Sequence, residues 1–204
     1  QSTSDRAVDT LFLNLVYDAG KVQALADGRP IRFSDDVFIE AEDPERALDL
    51  MNRIVKDVYE VGAGAIDVET DDKKPRHANL TAIALATVNF GVSIAYPLFA
   101  RRDKFGRALW ALMRKIGLDP TIRTIYQNKI FDIQMADEYG IEVVGPTDDT
   151  MLKHHAAFPG SSHKLQDIAA QFFAIRPWKA EFRAGKDDKG RPARSRTCSL
   201  TTMH

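Results

Sequence analysis

Between residues 44 and 99 the hydrophobic period of the chain changes once, from that of a helix to that of a strand, and this switch limits the fold more than any other feature. Ala47, Leu48, Met51, Ile54, Val55 and Val58 recur at spacings of three and four, which predicts a helix with one buried face. Asp43-Pro44 in front of them offers an N-cap and a proline at the first helical position. Val37-Phe38-Ile39 reads as a brief strand before that helix. From Ala65 the period falls to two. Ala65-Ile66-Asp67-Val68-Glu69-Thr70 reads as a strand and residues 71–77 as a polar loop. Residues 80–90 and 91–99 read as two more strands joined near Asn89-Phe90-Gly91, so an antiparallel meander is predicted.

Helices and strands alternate after this point. Leu109, Leu112, Met113 and Ile116 predict a helix over 105–116, stopped by Gly117. Residues 123–127 and 141–144 read as short strands around a helix over 130–139 that ends at Gly140. Residues 149–157 and 164–173 read as helices on either side of Pro159-Gly160. The expected class is α/β, with a mixed sheet of antiparallel meander plus parallel strands, flanked by helices. Residues 1–36 are expected to be an N-terminal extension, with an apolar run over 11–17 as its one strand or short helix, and 37–204 the functional domain. Gln1 in place of methionine leads us to expect an excised fragment.

With 44% hydrophobic and 28% charged residues the chain can bury a core and lacks the composition of a disordered protein. The 28 basic and 29 acidic residues nearly cancel, so a nucleic-acid or membrane partner must be sought in local patches. The single cysteine, Cys198, excludes an internal disulfide framework and a cysteine metal cluster, and fits a reducing, intracellular setting. No apolar run approaches the ~20 residues of a membrane span, and no membrane partner is expected. One local patch stands out: Lys179, Arg183, Lys186, Lys189, Arg191, Arg194 and Arg196 against Glu181, Asp187 and Asp188, in a loop-like segment over 179–196.

Asp67 and Glu69, two apart on a strand, leave the same face and can converge on one cation. Hard divalent ions such as Mg²⁺ or Mn²⁺ want carboxylate and water oxygens in that arrangement. A solvated strand face is the commoner explanation of an acidic pair, but this strand is otherwise apolar, and central acids on such a strand need a partner or a metal. A second constellation runs from Tyr126 to Asp132. Asn128 is placed to cap the following helix, and Asp132 falls one turn into it, able to face the strand of Asp67. An ordinary first-turn acid favoured by the helix dipole is the plain alternative.

In combination these segments resemble the DEDD 3′-5′ exonucleases. Ile66-Asp67-Val68-Glu69-Thr70 is similar to their first motif, Asp-x-Glu, and Asn128 to Phe131-Asp132 to their second, Asn-x-x-(Phe/Tyr)-Asp. Asp149-Thr150-Met151-Leu152, Ser162-His163-Lys164-Leu165 and Pro177-Trp178-Lys179 resemble later segments of the proofreading domains of family A, DNA polymerase I-like, polymerases. The resemblance implies a ribonuclease H-like fold and hydrolysis of the terminal phosphodiester with two divalent ions, Mg²⁺ or Mn²⁺. It implies that Asp67 bridges both metals, that Glu69 completes the first site and orients the attacking water, and that Asp132 holds the second metal. Thr70 and Asn128 match positions that contact the terminal nucleotide, and Phe131 one that packs beside the catalytic helix. The implied partner is the 3′ end of single-stranded DNA, with a polymerase domain as a possible neighbour, in the cytoplasm of a bacterium or phage-infected cell or in an organelle.

The family's third motif, Tyr-x-x-x-Asp or His-x-x-x-x-Asp, supplies a fourth carboxylate from a last helix. That helix is expected near Ser195, where Arg196 to His204 contains no acid. One set of codons for Cys198 to His204, read one base earlier, would encode Phe-Ala-Tyr-Asp-Asp-Ala, so a frame-shifted or truncated end is one expectation. The alternatives to a proofreading domain are a free-standing ribonuclease D-type exonuclease and a non-catalytic single-strand-binding module with a degenerate site.

Overall fold

The structure, a computed structural model, describes residues 38–41 and 43–173 together with Ala19, Gln23 and residues 26–28. The expectations for the apolar run over 11–17, the basic segment 179–196, Pro177-Trp178-Lys179 and the third motif lie outside the described residues.

Helix α1 (Pro44–Val61) starts where the sequence predicts. The Asp43 carboxylate accepts the Arg46 N–H at 2.8 Å, and Gly62 ends the helix in the left-handed conformation, φ 76°. Ala47, Leu50, Met51, Ile54, Val55 and Val58 are its buried residues, so Leu50 takes the place expected of Leu48. The chain then enters β2 (Ala63–Thr70), which lies inside a six-stranded sheet of order β1-β4-β3-β2-β5-β6. β2, β3 (Leu80–Ala86) and β4 (Gly91–Ala95) form the predicted antiparallel meander. β1 (Phe38–Ala41) joins β4 in parallel at one side. At the other, β2 pairs in parallel with β5 (Arg123–Tyr126), and β5 with β6 (Thr147–Asp149).

Alternation along the strands divides the sheet into two chemically different faces. Ile66, Val68, Ile83, Leu85, Val92 and Ile94 turn to a core shared with α1 and with α3 (Lys104–Gly117). On the other face Asp67 sits opposite Ala84 and Glu69 opposite Ala82, with Ser93 and Ala95 one strand further on. These small neighbours leave the two acids uncovered by the adjacent strands.

Three expectations are corrected. Residues 91–99 are not one strand: β4 stops at Ala95 and 96–99 form a one-turn helix, α2 (Tyr96–Phe99), because Pro97 has no N–H to give to a ladder. Gly117 does not stop its helix with a left-handed turn; it is the last residue of α3, and Leu118 beyond it is right-handed. Glycine is needed there for close approach, since a Cβ would lie 2.4 Å from the Glu142 carbonyl oxygen. Residues 141–144 form no strand: the Val144 N–H donates to the Gly117 carbonyl at 2.9 Å and Ile141 is buried in the core, so this apolar run seals the end of α3, and the strand is β6.

The described residues fall into two compact units, one within Asp36–Leu152 and one that includes the segment from Lys153 onward. In the second, α6 (Leu165–Phe172) carries Gln171, whose Oε1 lies 2.8 Å from Nε2 of the buried His154. A chain of imidazoles continues from His154 to His163 and His155, each contact 2.9 Å. No helix among the described residues is long and apolar enough to cross a membrane.

Candidate active site

Asp67 and Glu69 are exposed on β2, as the strand period requires when Ile66 and Val68 turn toward the core. The register between β2 and β3 slips at the end of the strand: Glu69 faces Ala82, but Thr70 faces Leu80. Such a bulge sharpens the local twist and re-aims the residues beside it. The Thr70 hydroxyl donates to the Asp72 carbonyl at 2.7 Å, where the strand turns into the following loop.

Pairing of β2 with β5 runs only from Ala63↔Arg123 to Ala65↔Ile125. Past that point β5 ends, and the chain turns through Gln127 and Asn128 into α4 (Lys129–Glu138). Asn128 adopts the left-handed conformation, φ 67° and ψ 56°, which asparagine tolerates better than most residues. Its side chain makes no capping hydrogen bond, contrary to expectation. The cap comes from Asp149, the last residue of β6. Its carboxylate accepts the N–H groups of Asn128 (3.2 Å), Lys129 (2.9 Å), Met151 (2.9 Å) and Leu152 (3.2 Å). One buried side chain thus caps both α4 and α5 (Thr150–Ala157). Burial alone would raise the pKa of this carboxyl, but the four N–H donors outweigh it and hold the group below the ordinary carboxylate range. The sequence reads Asp149 as the first residue of a helix over 149–157, whereas the helix begins one residue later and Asp149 caps it. Nothing local showed that it serves a second helix.

With its first turn fixed, α4 places Asp132 beside β2 at the stretch that β5 has left. The Asp132 carboxyl is only 4% exposed, accepts the main-chain N–H of Val68, and shares an apolar cleft with Ile66, Val68, Tyr126 and Ala136. Burial and then the charge of Asp67 push its pKa up to about 7. Asp149 adds a smaller push in the same direction. Burial likewise raises the phenol of Tyr126, with the Asp132 charge contributing. Phe131, the residue before Asp132, is partly buried against the core.

The structure therefore brings Asp67 and Asp132 within electrostatic reach of each other, while Glu69 shares the Asp67 strand face. Among the described residues no three His, Cys, Asp or Glu side chains close on a point as a ready-made metal cage. Two carboxylates, one of them buried in apolar surroundings against the charge of the other, fit a hard divalent ion that keeps several waters and binds through one or two protein acids.

This arrangement sets a pH dependence in the metal-free protein. A carboxyl whose folded pKa exceeds its unfolded value binds more protons in the native state, so stability is greatest below about pH 4 for this group and falls as pH rises toward 7. In EDTA, Asp132→Asn is expected to stabilise the fold above pH 7, by roughly 2–4 kcal/mol, and to flatten the fall between pH 4 and 7. Thermal melts across that range check it; an unchanged slope would show that Asp132 is not the group responsible.

A sequence profile of 3′-5′ exonucleases matches residues 46–199, a span that contains β2 and α4. Among curated proteins none matches the chain significantly. Of solved structures, the apo form of a nuclease is 19% identical with a TM-score of 0.51, covering 74% of this chain and 64% of its own. The catalytic core of RRP6 from Trypanosoma brucei is 16% identical with a TM-score of 0.51, over 70% of this chain and 36% of its own. NrnC from Brucella melitensis with bound Mg²⁺ is 18% identical with a TM-score of 0.46, over 81% and 69%. The chain spans less than two thirds of the length of the first two. At these identities the likeness to the first two is one of fold, a mixed α/β sheet of ribonuclease H-like type. The profile, which spans most of the chain, places it in the 3′-5′ exonuclease family, a group of nuclease hydrolases.

Proposed function

We propose that this domain removes nucleotides one at a time from the 3′ end of single-stranded DNA, by two-metal phosphodiester hydrolysis at Asp67, Glu69 and Asp132. The observation that carries this reading is the apposition of Asp132, its charge suppressed by burial and by Asp67, to the Asp-x-Glu strand. Bound Mg²⁺ or Mn²⁺ supplies charge neutralisation at the scissile phosphate and makes water more acidic. Asp67 offers its oxygens from the exposed strand face and Asp132 from the helix, so the two acids define where the phosphate sits. The Glu69 carboxylate accepts a hydrogen bond from the attacking water and aims it at phosphorus; as the water oxygen bonds to phosphorus and gives up a proton to solvent, the bond from phosphorus to the 3′ oxygen breaks, and that oxygen leaves with a proton from solvent. Thr70 and Asn128 contact the terminal nucleotide, and Phe131 holds the face of α4 against the core. Recognition through phosphates and stacking makes sequence preference weak.

A polymerase domain as a partner and an intracellular setting belong to the same proposal. A second reading, a free-standing exonuclease of ribonuclease D type acting on RNA, draws on the fold likeness to the RRP6 catalytic core. Incubating the protein with 5′-labelled DNA and RNA strands in Mg²⁺ or Mn²⁺, beside EDTA controls, separates them. Metal-dependent laddering from the 3′ end, faster on DNA, is the expected result. Preference for RNA moves the assignment to the second reading; strand binding without metal-dependent shortening makes the chain a binding module.

A further inference from the structure

The loop that follows the Asp-x-Glu strand, residues 71–79, carries Lys73, Lys74, Arg76 and His77, all exposed. None of Lys73, Lys74 and Arg76 has an ion-pair partner among the described residues. The two acids of the loop are exposed, and their carboxylates accept hydrogen bonds from within it. Asp71 accepts the main-chain and side-chain N–H groups of Asn79 at 2.7 and 2.9 Å, and Asp72 accepts the N–H of Lys74 at 2.9 Å. Asp71 and Asn79 also close the neck through the main chain, N–H to carbonyl at 3.1 Å. At the tip, Pro75–His77 form a 3₁₀ turn that packs against α4, and the Tyr139 phenol just past that helix receives the N–H of Leu80 at 3.1 Å.

The loop is therefore fastened to the two elements that carry the candidate acids, β2 through the Thr70 hydroxyl and α4 through the turn. A cluster of carboxylates repels a phosphodiester strand until cations arrive, and a strand that must lie beside it needs fixed positive charge close by. We propose that Lys73, Lys74 and Arg76 grip the backbone phosphates of the single strand on the 5′ side of its terminal nucleotide. This rests on the exonuclease reading for the direction of the strand: when the 3′ end occupies the acids, every remaining phosphate lies on the 5′ side. The hydrogen-bonded neck keeps the loop ordered before the strand binds, so little backbone freedom is lost on association.

The test is the Lys73→Ala/Lys74→Ala/Arg76→Ala variant, whose exposed side chains leave the hydrogen bonds of the neck intact and whose melting temperature checks the fold. Anisotropy of a 5′-labelled DNA strand in EDTA, read over a salt series, should show the slope of log affinity against log salt shallower by about 0.7 per lost contact, about 2 in all. Affinity at 0.1 M salt should fall roughly 10- to 100-fold. In Mg²⁺ the loss should appear in KM, grow with strand length and be smallest on a dinucleotide, which has no upstream phosphate. Lys56→Ala, on the far surface of α1, should leave the salt slope unchanged. An unchanged slope in the triple variant, or a loss as large on the dinucleotide as on the long strand, overturns the proposal. If the wild-type protein cleaves nothing yet the triple variant shows the reduced slope, the grip stands and the exonuclease reading falls.

Discussion

Asp67→Ala is expected to lower the rate of 3′-end shortening by about 10³-fold or more, a loss of roughly 4 kcal/mol of transition-state stabilisation. Asp67 is the acid that the strand period places on the open face and that also sets the charge state of Asp132, so its removal damages both sides of the site. The fold should survive, because the side chain is exposed. The second largest cause of the raised Asp132 pKa disappears with it, so the metal-free variant should lose less stability between pH 4 and 7 than the wild type. The two readouts together distinguish an inactive site from an unfolded one. Laddering at the wild-type rate with Asp67 gone would end the assignment of these acids.

The largest effect on stability should come from Asp149. Truncation to alanine removes the cap of two helices, each about 1 kcal/mol, and leaves four N–H groups without their acceptor. Unmet donors in a buried place cost about 1–3 kcal/mol more, so a total of roughly 3–5 kcal/mol and a fall in Tm of about 10 °C or more are expected. Asp149→Asn keeps one acceptor oxygen and puts an amide donor where donors already point, so it should fall between wild type and alanine. Activity should fall in the same order, since α4 loses the anchor that fixes Asp132. Melting curves of both variants check the ranking; equal Tm values across the three proteins would mean that the carboxylate is not what holds the helix starts.

What could be read from the sequence was what depends on neighbours along the chain. The cap at Asp43-Pro44 and the periodic face of α1 are local, and the structure reproduces both. The meander over β2, β3 and β4 follows from period-two patterning with short turns. The shared face of Asp67 and Glu69 follows from the strand geometry alone. The features that escaped depend on residues that meet only in the folded state. Asn128 looked like its own helix's cap, but a carboxylate from β6 does that work. Gly117 looked like a stop signal, but the chain at Glu142 needs the room of a missing side chain. Residues 141–144 are apolar enough for a strand, yet their hydrogen bonding goes to a helix end. That Asp132 reaches β2 was suggested by one helical turn of spacing; that it is buried against Val68 was not, because nothing in the motif shows that β5 parts from β2 after Ile125.

That departure has a consequence for assembly. A strand that loses its neighbour part-way along leaves main-chain groups that any other extended segment could pair with, and sheets with such gaps tend to recruit foreign strands. Here the gap is occupied by an acid whose carboxyl takes the Val68 N–H and whose charge would be buried by any intruding strand. Asp132 therefore closes that gap from within the chain: the Val68 N–H finds its acceptor on a side chain of α4 rather than on a neighbouring strand.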